Sequence, residues 1–424
     1  MAAIPAEHPA DPVLRRAAWR LVPLIMAMYV ASFLNRVNVS FAALTMNQDL
    51  GFTAEIYGMG AGIFFLGYFL FEVPSNLILE KVGARLWIAR IMLTWGLLSM
   101  ATAFVTGVTG VYAIRFILGL AEAGFYPGIL LYFTYWFPQA TRTRITALFV
   151  MGIPLSNAIG SPISSYFLGL EAWGLHGWQW MFIIEGIPTL IFGIIVLVWL
   201  PDKPANAKWL STEEKQLIAD RLAAEPKREV HGFLGMLADW RVWALIFPDF
   251  CNVFGIYCLG LWLPQMVKQM GYDNIQTGWI VMIPYGVSMV ALWLFGVSSD
   301  RSGKPVLHCA LSALLAAGGF TIAATAGSDI GVIIGFSLAA AGVFAGLATF
   351  WSLPPIFLGG TAVAGGLALI NSFGNLSGWA GPYAMGWLRE QSGDFRTGMW
   401  LCVAMLLLAA GSILWLGRSL KSST

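Results

Sequence analysis

The stretch RFILGLAEAGFYP, residues 115–127, decides the class of this protein. It lies within an apolar run, residues 111–137, that is long enough to cross a bilayer as an α-helix. Arg115 and Glu122 stand two helical turns apart in it, so their side chains face the same side of that helix. A charge at membrane depth is costly and commonly marks the path of an ion or a substrate. The stretch therefore predicts a functional membrane span. The alternative is a buried structural ion pair with a neighbouring helix.

The composition predicts a protein with many membrane spans. Of 424 residues, 58% are hydrophobic and 11% are charged, whereas a soluble domain carries about 25% charged residues. The net charge of +2 comes from cations spread among loops, so we expect no nucleic-acid partner. The four cysteines lie in apolar runs, and we expect no disulfide.

Twelve apolar runs are long enough to span a bilayer, and they predict an all-α membrane protein. The polar residues before the first run form no evident cleavable signal peptide, so we expect that run to remain as an anchor. The runs are residues 21–43, 57–79, 86–106, 110–137, 144–169, 180–200, 241–267, 276–299, 305–326, 330–357, 362–388 and 398–417.

Glycines and prolines predict where these helices approach one another or bend. Gly119, Gly124 and Gly128 belong to the fourth run, and small residues let a neighbouring helix or a ligand come close. Pro154 and Pro162 lie in the fifth run, where we expect a kink.

Lysine and arginine in the loops predict the orientation, because cytoplasmic loops carry the excess of positive charge. With the N-terminus in the cytoplasm, the outside segments hold only Lys268, Arg389 and Arg396. An even number of spans then returns the C-terminus to the cytoplasm. The inside segments hold Arg15, Arg16, Arg20, Lys81, Arg85, Arg90, Arg142, Arg144, the cations of residues 203–241, Arg301, Lys304, Arg418 and Lys421.

One long polar segment, residues 201–240, divides the chain into halves with six predicted spans each. We expect residues 1–200 and 241–424 to form two six-helix bundles, joined by a cytoplasmic linker. Ser211 and Glu214 fit a capping box, which predicts a short amphipathic helix in the linker.

The two halves repeat each other. Gly83 and Gly303 follow the second and the eighth span, and they are separated by 220 positions. Pro162 and Pro382, in the fifth and the eleventh span, show the same separation. Parallel repeats of this kind are typical of transporters that bind substrate near the midplane between the halves.

The loop after the eighth span, Gly296-x-x-x-Asp300-Arg301-x-Gly303-Lys304, resembles the signature loop of the major facilitator superfamily. The loop after the second span departs from that pattern, because Asn76 replaces the first glycine and Ala84 a basic residue. An acid, a cation and a glycine turn remain there. The resemblance implies that both loops hold cytoplasmic helix ends together during gating, through Glu80, Lys81, Gly83, Asp300, Arg301 and Gly303.

Four longer segments resemble the anion:cation symporter branch of that superfamily. They are FLNRVNVSFAAL (33–44), FEVPSNLILEKVGAR (71–85), RFILGLAEAGFYPGIL (115–130) and GWQWMFIIEG (177–186). The branch includes bacterial permeases for tartrate, phthalate, hydroxyphenylacetate and galactonate, and animal sialin and vesicular glutamate transporters. The chain looks most similar to the tartrate and hydroxyphenylacetate permeases. The resemblance implies two pseudo-symmetric six-helix bundles that import an organic carboxylate with protons across a bacterial inner membrane. We expect a monomer.

Three charged residues are the candidates for binding and coupling. The resemblance places Arg36 in a central cavity, where its planar guanidinium matches a carboxylate in two hydrogen bonds. A structural ion pair with Glu122 is the alternative. Glu122 is the predicted proton carrier, because the proton affinity of a buried carboxylate depends on whether a cation lies near it. Arg115 is then its coupling partner, or a support for helix packing.

Other polar residues in the spans have less specific interpretations. By resemblance, Tyr68, Asn252, Trp351 and Asn371 are further substrate ligands, and helix packing is the alternative for each. Tyr257, Gln265 and Asn375 are also candidates from their types and positions. Asn35 stands where many members of the branch have an aspartate, so one candidate proton site is missing. For Glu72, Glu185 and Asp249 we expect structural pairing rather than proton transport.

Three hypotheses remain: a proton-coupled importer of organic anions, an exporter of drugs or metabolites with the same fold, and a membrane receptor without transport. Buried Arg36, Arg115 and Glu122 need an aqueous cavity, which argues against the receptor. We expect no enzymatic activity and no cofactor other than the coupling proton. No phosphate-binding Gly-Lys-Ser loop is present, and the four histidines lack metal-ligand spacing.

Overall fold

A computed structural model describes residues 12–224, 239–358 and 362–421, and nearly all of them are helical. We number the helices in chain order. They are α1 Pro12–Val37, α2 Val39–Asp49, α3 Ala54–Val82, α4 Ala84–Ala101, α5 Gly107–Glu122, α6 Phe125–Trp136, α7 Gln139–Val150, α8 Gly152–Phe167, α9 Gly177–Trp199, α10 Thr212–Ala223, α11 Trp240–Lys268, α12 Asn274–Ser302, α13 Pro305–Thr325, α14 Asp329–Phe350, α15 Pro354–Phe357, α16 Ala362–Ser392 and α17 Arg396–Lys421.

These helices form the predicted membrane spans. Within the described ranges, 11 segments are long and apolar enough to cross a membrane; α1 with α2, and α5 with α6, each form one of them. The remaining predicted run, residues 362–388, is occupied by the 31-residue helix α16, which packs along α3 and α11. The all-α prediction is confirmed, with six spans on each side of the linker.

The structure shows the repeat that the sequence predicts. Gly83 ends α3 with φ of +98°, and Gly303 ends α12 with φ of +62°. Glycine adopts positive φ without the steric cost that a Cβ brings, so it ends both helices. Pro162 lies within α8 and Pro382 within α16. These helices cross between the halves in equivalent ways, because α16 packs on α3 and α8 packs on α12.

Four predicted spans are interrupted near the middle of the molecule. The helices break or distort at Asn38, at residues 123–124, at Met151 and at residues 351–353. The interruption at Met151 has a simple cause, since Pro154 has no N–H for the carbonyl four residues earlier. It is the kink expected in the fifth run. Irregular backbone is tolerated at membrane depth where it lies within the protein or lines a cavity.

The three glycines of the fourth span bring it against α3. An added Cβ at Gly119 would overlap the backbone of Phe64, and one at Gly128 would lie 2.7 Å from Leu79 Cδ1. Gly124 has φ of +87° and would meet Ser75 in the same way. The predicted close approach is therefore present, and α3 is the neighbour.

The linker lies against the N-terminal half. Ser211 caps α10, and the reciprocal hydrogen bonds with Glu214 form the capping box. Glu214 also pairs with Arg16 of α1, and the guanidinium of Arg20 lies 5.3 Å from the ring of Trp209. Residues 225–238 of the predicted linker are outside the described residues.

We call the membrane face that carries residues 201–224 the linker side and the opposite face the far side. On the far side the halves are in direct contact. The hydroxyl of Tyr57 donates to the carbonyl of Leu261 at 2.6 Å, and the hydroxyl of Tyr383 donates to Oε1 of Glu55 at 3.2 Å. These contacts close the far side above the central cavity.

Candidate functional site

A cavity lies between the two halves and encloses about 650 Å³ of empty space, part of it open to solvent. Among the described residues that line it, Arg36 is the one cation and Asp249 the one carboxylate. The other polar and aromatic lining residues are Tyr29, Phe33, Tyr68, Tyr126, Tyr257, Trp351, Asn371 and Asn375.

Arg36 and Glu122 form a buried ion pair at this cavity. Arg36 lies in the last turn of α1, beside the distortion at Asn38, and Glu122 is the last residue of α5. Nε of Arg36 donates to Oε1 of Glu122 at 2.7 Å, and Nη2 donates to the same oxygen. Arg36 is 8% exposed and Glu122 is 1% exposed. Removal of either charge would leave the other buried without compensation.

Aromatic side chains hold the Arg36 guanidinium at the cavity wall. Its central carbon lies 5.2 Å from the ring of Tyr68, 5.4 Å from Phe33 and 5.5 Å from Phe64. The negative faces of these rings attract a cation. Nη1 donates to the hydroxyl of Tyr257 at 3.5 Å, which links the guanidinium to the other half.

The two oxygens of Glu122 have different surroundings. Both hydrogen bonds from Arg36 reach Oε1, while Oε2 is buried and has no hydrogen-bond partner within the described ranges. A proton on Oε2 would neutralise the carboxylate and weaken its charge-assisted hydrogen bonds with Arg36. The guanidinium would then be free to bind another anion.

Arg115 contacts α3 rather than Glu122. Its Nε donates to the carbonyl of Gly60 at 3.4 Å and its Nη2 to the carbonyl of Ala61 at 3.3 Å, and the ring of Phe64 lies 5.0 Å away. No ion pair joins Arg115 and Glu122 in the part of the chain that the structure describes. This geometry favours the alternative in which Arg115 supports helix packing.

The predicted substrate ligands divide into two groups. Tyr68, Trp351 and Asn371 line the cavity with Arg36. Asn252 is not among the lining residues, because its Nδ2 donates to the carbonyl of Val343 at 3.1 Å and its side chain packs against Gly346. These contacts with α14 favour the helix-packing alternative for Asn252, and its role as a substrate ligand stays a prediction.

Glu72 makes an inter-helix contact, as expected, and Asp249 does not. Nδ2 of Asn371 donates to Oε1 of Glu72 at 2.8 Å, and Oγ of Ser372 donates to Oε2 at 2.9 Å. These bonds join α3 to α16 across the two halves. Asp249 is 2% exposed and lines the cavity, yet its side chain has no hydrogen bond or ion pair within residues 12–224, 239–358 and 362–421. The expectation of a structural pair for Asp249 was wrong.

Glu185 and Asn35 belong to a buried polar network away from the cavity lining. Oγ of Ser164 donates to Oε1 of Glu185 at 2.6 Å. Nδ2 of Asn35 donates to the Glu185 carbonyl at 3.0 Å and to Oγ1 of Thr189 at 2.8 Å, and its Oδ1 accepts from Ser99 at 2.6 Å. These contacts join α1 to α4 and α9.

The predicted gating loops lie at equivalent ends of the two halves, on the linker side. Gly83 lies against Asp202, whose Oδ1 accepts a hydrogen bond from the backbone N–H of Arg85 at 2.8 Å. An added Cβ at Gly303 would meet no atom within 4 Å among the described residues. The charged residues of both loops are exposed; they are Glu80, Lys81, Asp300 and Arg301.

Two tyrosines of the cavity wall were missed from the sequence. Tyr29 stacks on Phe149 with ring centroids 4.1 Å apart, and Tyr126 stacks on the same ring at 5.6 Å. Both occur in apolar runs rich in aromatic residues, so the sequence holds no signal that separates them from packing residues.

Three comparisons relate the chain to known proteins. Residues 25–378 match the sequence profile of the Major Facilitator Superfamily. A protein of Agrobacterium vitis named as a tartrate transporter is 48% identical over 411 residues, 96% of this chain and 92% of that protein. A quinolone resistance transporter of Acinetobacter baumannii is 39% identical over 401 residues, 93% of this chain and 92% of that one. The crystal structure of a bacterial homolog of the human lysosomal transporter Spinster, inward-facing and occupied, superimposes with a TM-score of 0.77 at 14% identity, over 96% of this chain and 98% of that chain.

Proposed function

The chain belongs to the Major Facilitator Superfamily, and we propose that it imports a small organic carboxylate together with a proton. The observation that carries this proposal is the buried pair of Arg36 and Glu122 at the wall of a cavity between the two halves. Membership of the superfamily makes the chain a membrane transporter and not an enzyme. Substrate class, coupling and direction are the proposed part.

The pair supports a competition mechanism. When Glu122 is ionised, it occupies the hydrogen bonds of Arg36. A proton on Glu122 releases the guanidinium, whose fork then binds the substrate carboxylate in two hydrogen bonds. Loss of that proton on the other side of the membrane restores the pair and displaces the substrate. Proton and substrate therefore travel together.

The rest of the cavity supports a tartrate-like hydroxy acid or an aromatic acid as substrate. Tyr68 and Asn371 bring a hydroxyl and an amide to the lining, which suits a molecule with several oxygens. Trp351 offers a ring face for an aromatic part. The relative named as a tartrate transporter supports a hydroxy acid through the hydroxyl groups of tartrate and not through its second carboxylate.

The orientation completes the proposal. We infer that the linker side is cytoplasmic, with both termini inside a bacterial inner membrane, because the inside loops then carry the excess of arginine and lysine. The closed far side then faces the periplasm, and the cavity in this conformation serves release to the cytoplasm. The loops that end at Gly83 and Gly303 lie where cytoplasmic gating contacts would form in the opposite conformation. A monomer, with the proton as coupling ion and no other cofactor, is sufficient for this cycle.

Uptake into proteoliposomes tests the proposal. Vesicles containing the purified protein are given a pH gradient, acidic outside, and a panel of labelled hydroxy acids and aromatic acids. We expect accumulation of at least one carboxylate above its external concentration, and no accumulation once an ionophore collapses the gradient. Vesicles containing Arg36→Lys are the matched control, because lysine keeps the positive charge but cannot bind a carboxylate through two hydrogen bonds from one planar group. Uptake that ignores the pH gradient contradicts proton symport.

Export is the second candidate function, and the relative named as a quinolone resistance transporter favours it. The same vesicles distinguish the two functions. An exporter in the same orientation would move its substrate toward the acidic compartment in exchange for protons. It would also bind drugs in preference to simple carboxylates.

A further inference from the structure

Asp249 is a cavity carboxylate that the competition mechanism does not use. It lies in α11, is 2% exposed, and no donor or cation contacts it within the described parts of the chain. Gly374 of α16 provides the space for it, because an added Cβ there would overlap Oδ2 and lie 3.2 Å from Cγ. A buried carboxyl group with neither a hydrogen-bond partner nor a cation beside it is costly in its ionised and in its neutral form, so an acid that lines a ligand cavity in this way indicates a ligand as the missing partner.

The position of Asp249 relative to Arg36 gives the cavity opposite charges at two ends. Asp249, Val253, Ile256 and Tyr257 recur at helical spacing and all line the cavity. Tyr257 contacts Arg36. Asp249 lies eight residues earlier in the same helix, which places it about 12 Å along the helix axis toward the linker side.

The groups facing Asp249 are neutral. Tyr126 of α6 lines the same cavity. Trp351 and the α16 amides of Asn371 and Asn375 complete the neighbouring wall. Nδ2 of Asn371 is already directed to Glu72. An arginine or lysine that could bind a second ligand carboxylate is absent from the described residues of this wall.

We propose that Asp249 is the second recognition point of the cavity and selects carboxylates that carry a hydrogen-bond donor, a hydroxyl or an ammonium group, at the end remote from the carboxylate. The proposal rests on the proposed function, in which Arg36 binds the carboxylate. A ligand donor at this point stabilises the ionised form of Asp249, which only accepts hydrogen bonds. The ionised form therefore attracts a donor and repels a second carboxylate.

A matched ligand series tests this selection. Butanoate, 4-hydroxybutanoate, 4-aminobutanoate and butanedioate differ only at the far end, and hexanoate with its 6-hydroxy, 6-amino and dicarboxylate analogues extends the series in length. Dissociation constants are measured by ligand titration of the thermal unfolding of purified protein. We expect the hydroxy and amino acids to bind about tenfold or more tightly than the alkyl acid and the dicarboxylate of the same length, which is the usual effect of a hydrogen bond to a charged group.

Two variants and one control make the result specific. Asp249→Asn removes the charge at nearly constant volume and should remove most of the tenfold preference for the amino acid over the dicarboxylate. Gly374→Ala displaces the Asp249 carboxylate without changing any charge, so it should reduce the same preference even if Asp249→Asn does not fold. Glu185→Gln neutralises another buried acid that does not line the cavity, and it should leave the preference unchanged.

The outcomes separate this inference from the proposed function. Any of three results would overturn the role of Asp249. All four end groups bind equally, the dicarboxylate binds more tightly than the others, or the preference is unchanged in Asp249→Asn and Gly374→Ala. The proposed function would survive that result if Arg36→Lys weakens all the carboxylates equally. Failure of every carboxylate to bind the wild-type protein would overturn the proposed function and this inference with it.

Discussion

Replacement of Glu122 by glutamine should uncouple carboxylate binding from protons. In the wild-type structure, Oε1 of Glu122 accepts both hydrogen bonds from Arg36. Glutamine keeps a carbonyl oxygen at nearly the same place but cannot ionise. Arg36 is then a buried cation without a counterion. Loss of one partner of a buried ion pair costs about 3–5 kcal/mol, so the empty variant should unfold at a lower temperature than wild type.

The magnitude of the pH effect follows from the competition between two carboxylates for one guanidinium. If a ligand binds only when Glu122 carries a proton, each bound monoanion takes up one proton. The dissociation constant then rises by up to tenfold per pH unit above the range in which Glu122 ionises, or about 1.4 kcal/mol per unit. Glu122→Gln should bind with a constant that does not change with pH. Its ligand-induced stabilisation should exceed that of wild type at high pH, because the ligand provides the missing counterion.

Isothermal titration in buffers of different ionisation enthalpy measures the proton uptake directly. The ligand should be a monocarboxylate that remains ionised over the whole pH range. We expect close to one proton taken up per ligand for wild type at high pH and none for Glu122→Gln. Glu185→Gln is the matched control and should behave as wild type. A pH slope that persists in Glu122→Gln, or is absent from wild type, would refute the competition between Glu122 and the ligand.

Three further predictions concern other parts of the molecule. Arg36→Lys should weaken carboxylate binding by about tenfold or more in a folded protein, because lysine keeps the positive charge but cannot make the two parallel hydrogen bonds of a guanidinium. Near-normal binding in a titration would exclude Arg36 as the ligand. One proton with one monoanion moves no net charge, so uptake should be nearly indifferent to membrane potential, although 100 mV would add about 2.3 kcal/mol per charge that moved. An inward positive current during monoanion uptake would contradict this. Gly119→Ala should lower the unfolding temperature, because the added Cβ would overlap the backbone of Phe64 and overpacking costs about 1–3 kcal/mol. An unchanged unfolding temperature in a thermal melt would show that α3 and α5 are not tightly packed against each other.

The fold was predictable because membrane spans and turns leave strong signals in the sequence. Apolar runs gave the spans, and Gly83 and Gly303 end equivalent helices in the two halves, as their spacing predicts. The interruption at residues 123–124 was not predicted, because the apolar run continues through it. Gly124 has φ of +87° there and lies against Ser75 of another span, a contact that the sequence of one span does not specify.

The candidate site was predictable in its charged centre and in part of its polar lining, since Tyr68, Trp351 and Asn371 line the cavity as expected. Arg36 and Glu122 stand out because charges are rare in spans, and they do meet in the structure. Asn252 packs against Val343, as its helix-packing alternative predicts, whereas Asp249 lines the cavity and lacks the expected structural partner among the described residues. Which side of a helix faces a cavity depends on packing between the halves, and one sequence does not specify that.

The most direct test of the central claim is proton movement driven by the substrate itself. Proteoliposomes with equal pH inside and outside, and an internal pH-sensitive dye, receive an inward gradient of a transported monocarboxylate while the membrane potential is clamped at zero. We expect the interior to acidify by one proton per substrate molecule, and we expect no acidification with Glu122→Gln, which should still exchange labelled for unlabelled substrate. Substrate entry without acidification in the wild-type protein, or alkalinisation, would contradict that claim.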